Sequence, residues 1–207
     1  MKKVIIFFSL LILGIFISSF SKDEKANTSN NLYRSKEVSS VPTEKENFSQ
    51  NHNIPFVGNS FVGFKEAVAF KESQGNYSVI NTLGYLGKYQ FGKSTLKRFK
   101  IYNTQQFLNT PQLQEDAFIA LCSVNKWILR KDIRRSVGKK INGIKITESG
   151  ILAAAHLAGA GNVKKYIRSN GANSFKDAYG SSIQYYLKKF SGYDTSFIEA
   201  NKKPSVL

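Results

Sequence analysis

Hydrophobic and polar positions divide the chain into three parts. An uncharged apolar run at residues 4–17 follows Lys2 and Lys3. Residues 22–53 are then rich in Ser, Asn, Thr, Lys and Glu, and apolar residues recur at helical spacing only beyond them. A polar stretch of that kind cannot bury enough surface to offset chain entropy. We therefore predict a signal peptide or N-terminal anchor at 1–21, a disordered polar tether at 22–55 and one folded domain at 56–207.

Helical patterns dominate the predicted domain. Asn59 or Ser60 can cap the first helix, Thr147 can cap a later one, and Ser181 or Ser182 can begin the last. The predicted helices cover residues 61 to about 72, 111–130, 148–158, 162–168 and 183–190. Between the second and third helices, an Asn142-Gly143 pair flanked by apolar residues predicts a tight hairpin. The predicted fold class is mainly α (α+β), a helical domain with a small β-hairpin element.

Glu72 stands out among the carboxylates of this domain. On a helical wheel with 100° per residue it lies about 20° from Phe61 and about 40° from Val68, so it extends the apolar face of the first helix. Burial disfavours the charged form of a carboxyl group and raises its pKa, which suits a general acid near neutral pH. A solvated glutamate in a frayed last turn is the alternative interpretation.

The loop after Glu72 is rich in glycine and aromatic residues. It includes Gly84-Tyr85-Leu86-Gly87-Lys88-Tyr89-Gln90-Phe91-Gly92. Its glycines allow close approach of a ligand, and its tyrosines offer flat faces and hydroxyls to sugar rings. Gln90 can both donate and accept hydrogen bonds, as an N-acetyl group requires. Aromatic residues of a protein core are the alternative interpretation, and the glycine spacing matches no nucleotide-binding motif.

Three segments together resemble the signature of lytic transglycosylases and goose-type lysozymes. They are Glu72-Ser73, the glycine-rich loop at 84–92, and Ala153-Ala154-Ala155-His156-Leu157-Ala158-Gly159-Ala160-Gly161-Asn162-Val163, in the family's order. The resemblance implies a lysozyme-like fold that cleaves the bond between N-acetylmuramic acid and N-acetylglucosamine in peptidoglycan. It also implies that Glu72 is the general acid and then the base, and that Ser73 orients the reacting sugar.

Further substrate-binding residues follow from the same resemblance. It implies a glycan cleft with Tyr85 and Gln90 on one wall, His156 and Gly159 on the other, and either Tyr185 or Tyr186 near the glutamate. Tyr89, whose flat ring and hydroxyl suit a sugar, is a further predicted substrate-binding residue. The sequence departs from the family at Gln74, where many members have glycine, and at His156-Leu157, which replaces a common Tyr-Asn pair. An ordinary helix histidine is the alternative interpretation of His156.

The mechanism depends on whether a second carboxylate is present. An inverting hydrolase needs one at about 6.5–9.5 Å and a retaining hydrolase one at about 5–5.5 Å. A lone glutamate suits attack by the C6 hydroxyl of the muramic residue, which gives a 1,6-anhydro product. We therefore predict a lytic transglycosylase. The alternatives are a hydrolase that uses Asp116, Asp132 or Glu148 and a non-catalytic wall-binding module. Glu115, Asp116 and Glu148 lie in the predicted first turns of helices, where compensation of the helix dipole explains an acidic residue.

Charge and cysteine content narrow the predicted partners. The formal net charge is +16, and its excess lies in the folded domain because acidic and basic residues balance in the tether. A basic field suits both the carboxylates of a cell wall and nucleic acid, but no nucleic-acid reader motif is present. One cysteine, Cys122, and two histidines give little support to a zinc site. We predict a monomer that binds peptidoglycan glycan strands, without nucleic acid, metal or cofactor. It is exported to the periplasm or cell envelope, with residues 4–17 as a membrane tether if the signal is not cleaved.

Overall fold

The computed structural model describes residues 57–206 and is 53% helical. Its helices are α1 (Phe61–Ser73), α2 (Lys93–Arg98), α3 (Thr104–Asn109), α4 (Pro111–Ser136), α5 (Glu148–Arg168) and α6 (Ile183–Lys189). Strands β1 (Lys140–Ile141) and β2 (Ile144–Lys145) form a two-stranded antiparallel sheet. The predicted mainly α (α+β) class is confirmed. The predicted signal peptide and tether lie outside the described residues, and within 57–206 no helix has the length and apolarity needed to cross a membrane.

Local capping sets the start and end of α1. The Ser60 hydroxyl accepts a hydrogen bond from the Gly63 amide at 3.1 Å, as the sequence predicts for this position. Phe64 and Val68 are fully buried on the inner face of the helix. The helix ends after Ser73 because Gln74 takes a left-handed conformation with φ 57°. Gly75 follows with φ 80°, so two successive residues turn the chain away from the helix.

The central helix α4 is longer than the sequence pattern predicts. The predicted helix ends near residue 130, whereas α4 continues to Ser136 and keeps Ile133 and Ser136 buried. It packs against α5, and α5 packs against α6. The two short helices α2 and α3 are absent from the prediction, because six residues are too few to display a helical period.

The hairpin between α4 and α5 follows the prediction. Ile141 pairs with Ile144 across the turn, and Asn142 and Gly143 both have positive φ, at 48° and 75°. Two central residues with positive φ make the type I′ turn, which matches the twist of paired strands. The chain then enters α5 through Thr147, whose hydroxyl accepts a hydrogen bond from the Gly150 amide.

A break in α5 and a close approach to α6 shape the last part of the fold. Gly159 has φ 77° and ψ 150°, so α5 is kinked in the gap between the two helices predicted at 148–158 and 162–168. Ser182 caps α6, as predicted. Helices α5 and α6 are very close at Gly150, where a Cβ atom would lie 2.7 Å from the Leu187 carbonyl oxygen. This contact fixes the position of α6, which carries Tyr185 and Tyr186.

Candidate active site

A hydrogen bond joins the last turn of α1 to α6. The hydroxyl of Tyr186 donates to Oε1 of Glu72 at 2.7 Å. Tyr186 is only 2% exposed and Glu72 is half-buried. Burial, and next the charge of Glu72, raise the pKa of Tyr186 well above its usual value. The tyrosine therefore stays protonated and remains a donor to the carboxyl group.

Tyr185 faces a different environment from its neighbour. It is 46% exposed, and two ammonium groups lie near its ring, with Nζ of Lys71 at 5.9 Å and Nζ of Lys189 at 5.6 Å from the ring centroid. Lys189 also donates to the Tyr185 hydroxyl at 3.2 Å. Of the two tyrosines that the sequence leaves open, Tyr186 is the one bonded to Glu72.

Glu72 lines a cavity of about 400 Å³. We call this cavity the Glu72 cavity; it is lined by Phe70, Lys71, Glu72, Ser73, Gln74 and Lys189. Among these lining residues Glu72 is the single acid, whereas two of them are lysines. The surroundings of Glu72 are therefore partly apolar and partly cationic.

Ser73 connects α1 to the glycine-rich loop. Its hydroxyl donates to the backbone carbonyl of Lys88 at 2.7 Å and accepts from the amide of Asn76 at 3.0 Å. Ser73 also lines the Glu72 cavity. Its hydroxyl hydrogen is used within the protein, so this side chain holds the loop against the end of α1.

Four other predicted binding residues share a second cavity of about 490 Å³. They are Tyr85, Gln90, His156 and Gly159. Tyr85 is 43% exposed and offers a ring face to a ligand. Residues from the two walls that the sequence predicts for a cleft therefore line one cavity, but Glu72 lines the other one.

The side chains of Gln90 and His156 are held by the loop itself. Gln90 has φ 50°, and its Nε2 donates to the Gly87 carbonyl at 2.9 Å. Nε2 of His156 lies 2.8 Å from the Tyr89 carbonyl oxygen, which can only accept, so this nitrogen carries the hydrogen. The His156 ring also packs edge-on against Phe91 and Phe118. Its geometry fits the alternative interpretation, a packed helix histidine, although the residue does line the cavity.

The structure corrects the predicted role of Tyr89. Its side chain is fully buried, stacks on Phe118 with 4.1 Å between ring centroids, and donates its hydroxyl to Oε2 of Glu115 at 2.8 Å. A side chain enclosed in this way contacts no glycan. The prediction of Tyr89 as a substrate-binding residue is wrong, because the loop turns this ring inward to the core.

A buried ionic cluster beneath the loop was missed by sequence reasoning. Lys88 is 4% exposed, and its ammonium group binds Glu115 at 2.8 Å and Glu66 at 2.7 Å. Lys65 binds the other oxygen of Glu115 at 2.6 Å. Burial alone would raise the pKa of Glu115, but hydrogen bonds from Lys65 and Lys88 lower that pKa to about 2. Helix α4 begins at Pro111, so Glu115 and Asp116 lie beyond its first turn, and the predicted dipole role is wrong for both.

The carboxylates considered as partners for a hydrolase are bonded elsewhere. None of the three lines the Glu72 cavity. Asp116 accepts from Gln112, Asp132 pairs with Arg168, and Glu148 pairs with Lys126. The Asp132 carboxylate is also almost completely buried. The described residues therefore give Glu72 no second carboxylate within its own cavity.

The chain's own residues carry the functional interpretation. No family model, curated protein or solved structure matches this chain. Within residues 57–206, no group of three His, Cys, Asp or Glu side chains could hold a metal ion. The feature with a clear chemical use is the half-buried Glu72 with its tyrosine donor.

Proposed function

We propose that this protein is a peptidoglycan lytic transglycosylase in which Glu72 is the catalytic acid and base. The observation that carries the proposal is the 2.7 Å bond from Tyr186 to Oε1 of Glu72, at a cavity large enough to admit part of a sugar. A general acid must be held in one orientation to reach the proton acceptor. Tyr186 supplies that constraint and leaves Oε2 of Glu72 for the substrate.

The proposed reaction uses Glu72 in two proton transfers, which move two different protons. Protonated Glu72 gives its proton to the glycosidic oxygen as the bond from that oxygen to C1 of the muramic residue breaks. The resulting carboxylate then takes the proton of the C6 hydroxyl of the same residue, whose oxygen attacks C1. A 1,6-anhydro ring forms, no water is consumed, and Glu72 is protonated again.

No second acid lines the Glu72 cavity, and this supports transfer rather than hydrolysis. One further carboxylate, Asp177, acts on Tyr186 through its charge, and it is the candidate that a hydrolytic route would use. Both hydrolytic routes use a second carboxylate at short range, either to activate water or to attack the sugar. The internal C6 hydroxyl needs neither. Asp132 and Glu148, which could have served, are paired with Arg168 and Lys126.

Charge also supports a wall substrate. Lys71 and Lys189 border the Glu72 cavity, and a cationic surface attracts the carboxylates of peptidoglycan. This polymer lies outside the cytoplasm, in agreement with the exported location that the sequence predicts.

The test compares wild type with Glu72→Gln on purified peptidoglycan. Glutamine keeps the size of the side chain but cannot transfer a proton, so we expect the release of fragments to fall at least about a thousandfold. Glu199→Gln removes an exposed carboxylate that lines neither cavity and is the matched control, expected to be fully active.

Mass spectrometry of the fragments distinguishes the mechanisms. Anhydro ends from wild type and from Glu199→Gln, but not from Glu72→Gln, would support the proposal. Reducing ends would indicate a hydrolase instead. Binding to peptidoglycan by all three proteins with no fragments would favour a wall-binding module and contradict the enzyme proposal.

A further inference from the structure

Two lysines beside Glu72 have no acidic partner among the described residues. Lys71 and Lys189 both line the Glu72 cavity. The ion pairs within residues 57–206 involve other cations, namely Lys65, Lys88, Lys126 and Arg168. Lys71 is adjacent to Glu72 in sequence, and neighbours on a helix point in different directions. Neither ammonium group therefore neutralises Glu72, and both are available to an anion from the substrate.

Both ammonium groups lie close to the ring of Tyr185. Each lies within 6 Å of its centroid, at 5.9 Å for Lys71 and 5.6 Å for Lys189. The electron-rich face of an aromatic ring attracts such cations. The hydroxyl of Tyr185 accepts a further hydrogen bond from Lys189. This ring limits the freedom of two long side chains, so less conformational entropy is lost when an anion binds between them.

We infer that Lys71 and Lys189 form a subsite for a carboxylate carried by the muramic residue whose bond is cleaved, and that Tyr185 positions them. The inference rests on the proposed function for the choice of ligand. The muramic ring bears a lactyl ether at C3, and its C1 is the reacting atom, so a carboxylate on this substituent lies near the cleaved bond. Two ammonium groups bind such a group through charge-assisted hydrogen bonds.

The same subsite selects against other glycans. A strand of N-acetylglucosamine alone has no carboxylate and leaves both lysines without a partner. A de-N-acetylated strand carries ammonium groups, which Lys71 and Lys189 repel. The two lysines would therefore determine specificity, whereas the acid chemistry belongs to Glu72.

The experiment measures binding in the full chain with Glu72→Gln, so that no turnover occurs. The probes are glycan strands stripped of peptide, which carry free lactyl carboxylates, and N-acetylglucosamine oligomers of the same length, which are neutral. We expect the stripped strands to bind at least about tenfold more tightly at low salt, because charge-assisted hydrogen bonds are stronger than neutral ones. This preference should weaken as salt is added.

Variants assign the preference to the two lysines. Adding Lys71→Met and Lys189→Met together should reduce the preference to less than about twofold, whereas Lys189→Arg should keep it because the charge remains. Lys188→Met is the matched control, since Lys188 is an exposed neighbour on α6 that does not line the Glu72 cavity. Thermal unfolding of each variant checks that the fold is kept. A preference that survives the double change, or that Lys188→Met abolishes equally, would overturn the inference.

A third probe identifies the source of the carboxylate. Strands with intact stem peptides have the lactyl carboxyl in an amide bond and carry their carboxylates on the peptide. Tighter lysine-dependent binding of these strands would assign the subsite to the peptide, and tighter binding of stripped strands to the lactyl group. Preference without any cleavage by wild type would refute the proposed function and leave the subsite standing. Cleavage without any preference would support the proposed function and refute the subsite.

Discussion

Removing one hydroxyl group tests whether Tyr186 holds the catalytic carboxyl group. Tyr186→Phe keeps the ring, which packs on Phe190 with 5.0 Å between centroids, and deletes the 2.7 Å bond to Glu72. A hydrogen bond to a charged group contributes about 1.5–3 kcal/mol. If this bond is present in the transition state, its loss lowers kcat by about tenfold to a hundredfold. KM should change by less than about twofold, because the hydroxyl is buried behind the carboxyl group.

Tyr102→Phe is a control of the same chemistry at a tyrosine that lines neither cavity. The Tyr102 side chain is 72% exposed, so its hydroxyl faces solvent. We expect kcat to stay within about twofold of wild type, because this residue takes no part in proton transfer. The assay is the initial rate of anhydro-ended fragment release, followed by chromatography over a range of peptidoglycan concentrations.

Unfolding in urea separates a local effect from a loss of fold. Tyr186→Phe leaves no buried donor behind, and the half-buried Glu72 can take a water molecule instead, so the free energy of unfolding should fall by no more than about 1.5 kcal/mol. Equal kcat values for the two Phe variants would refute the reasoning. So would a kcat loss that disappears when activity is corrected for the folded fraction.

Three further changes test the buried charges and the kink. Glu115→Gln should lower the free energy of unfolding at pH 7 by on the order of 3 kcal/mol. Because the folded-state pKa of Glu115 is lowered from 4.5 to about 2, this difference from wild type should shrink as the pH falls through that range, and a constant difference in urea titrations would contradict it. Lys88→Met removes one buried partner of Glu115, so it should lower the free energy of unfolding by about 3–5 kcal/mol in the same urea titration. Gly159→Ala should lower the free energy of unfolding by about 1–3 kcal/mol, because alanine is strained at this positive φ. Gly161→Ala should leave the free energy of unfolding unchanged or raise it by up to about 1 kcal/mol, because the new Cβ meets open space in helical backbone.

Features encoded by neighbouring residues could be predicted from the sequence. The caps at Ser60, Thr147 and Ser182 depend on one hydroxyl and an amide three residues later. The turn at Asn142-Gly143 depends on two residues that tolerate positive φ. Helix α4 illustrates the limit, since its last residues stay helical because tertiary packing buries Ile133.

The choice between Tyr185 and Tyr186 required tertiary structure. Both residues follow the same cap, and about 100° of rotation around α6 separates them. Which of them meets Glu72 is set by how closely α6 approaches α5, and this is fixed at Gly150 by the Leu187 carbonyl. In the sequence, a glycine in the first turn of a helix gives no indication that it admits a second helix. The sequence therefore predicts Tyr185 and Tyr186 as candidates but does not decide which of them bonds to Glu72.

Lys88 shows why the support of the site was harder to predict than the site itself. In the sequence it is a charged residue in a loop composed mainly of glycines and aromatic residues. Its partners Glu66 and Glu115 are 22 and 27 residues away along the chain. In the structure its ammonium group ties the loop to α1 and α4, while its carbonyl accepts the hydroxyl of Ser73, next to Glu72. Burying a cation is costly unless its partners are all in place. The position of the loop relative to Glu72 therefore depends on charges from three separate segments, which no local pattern encodes.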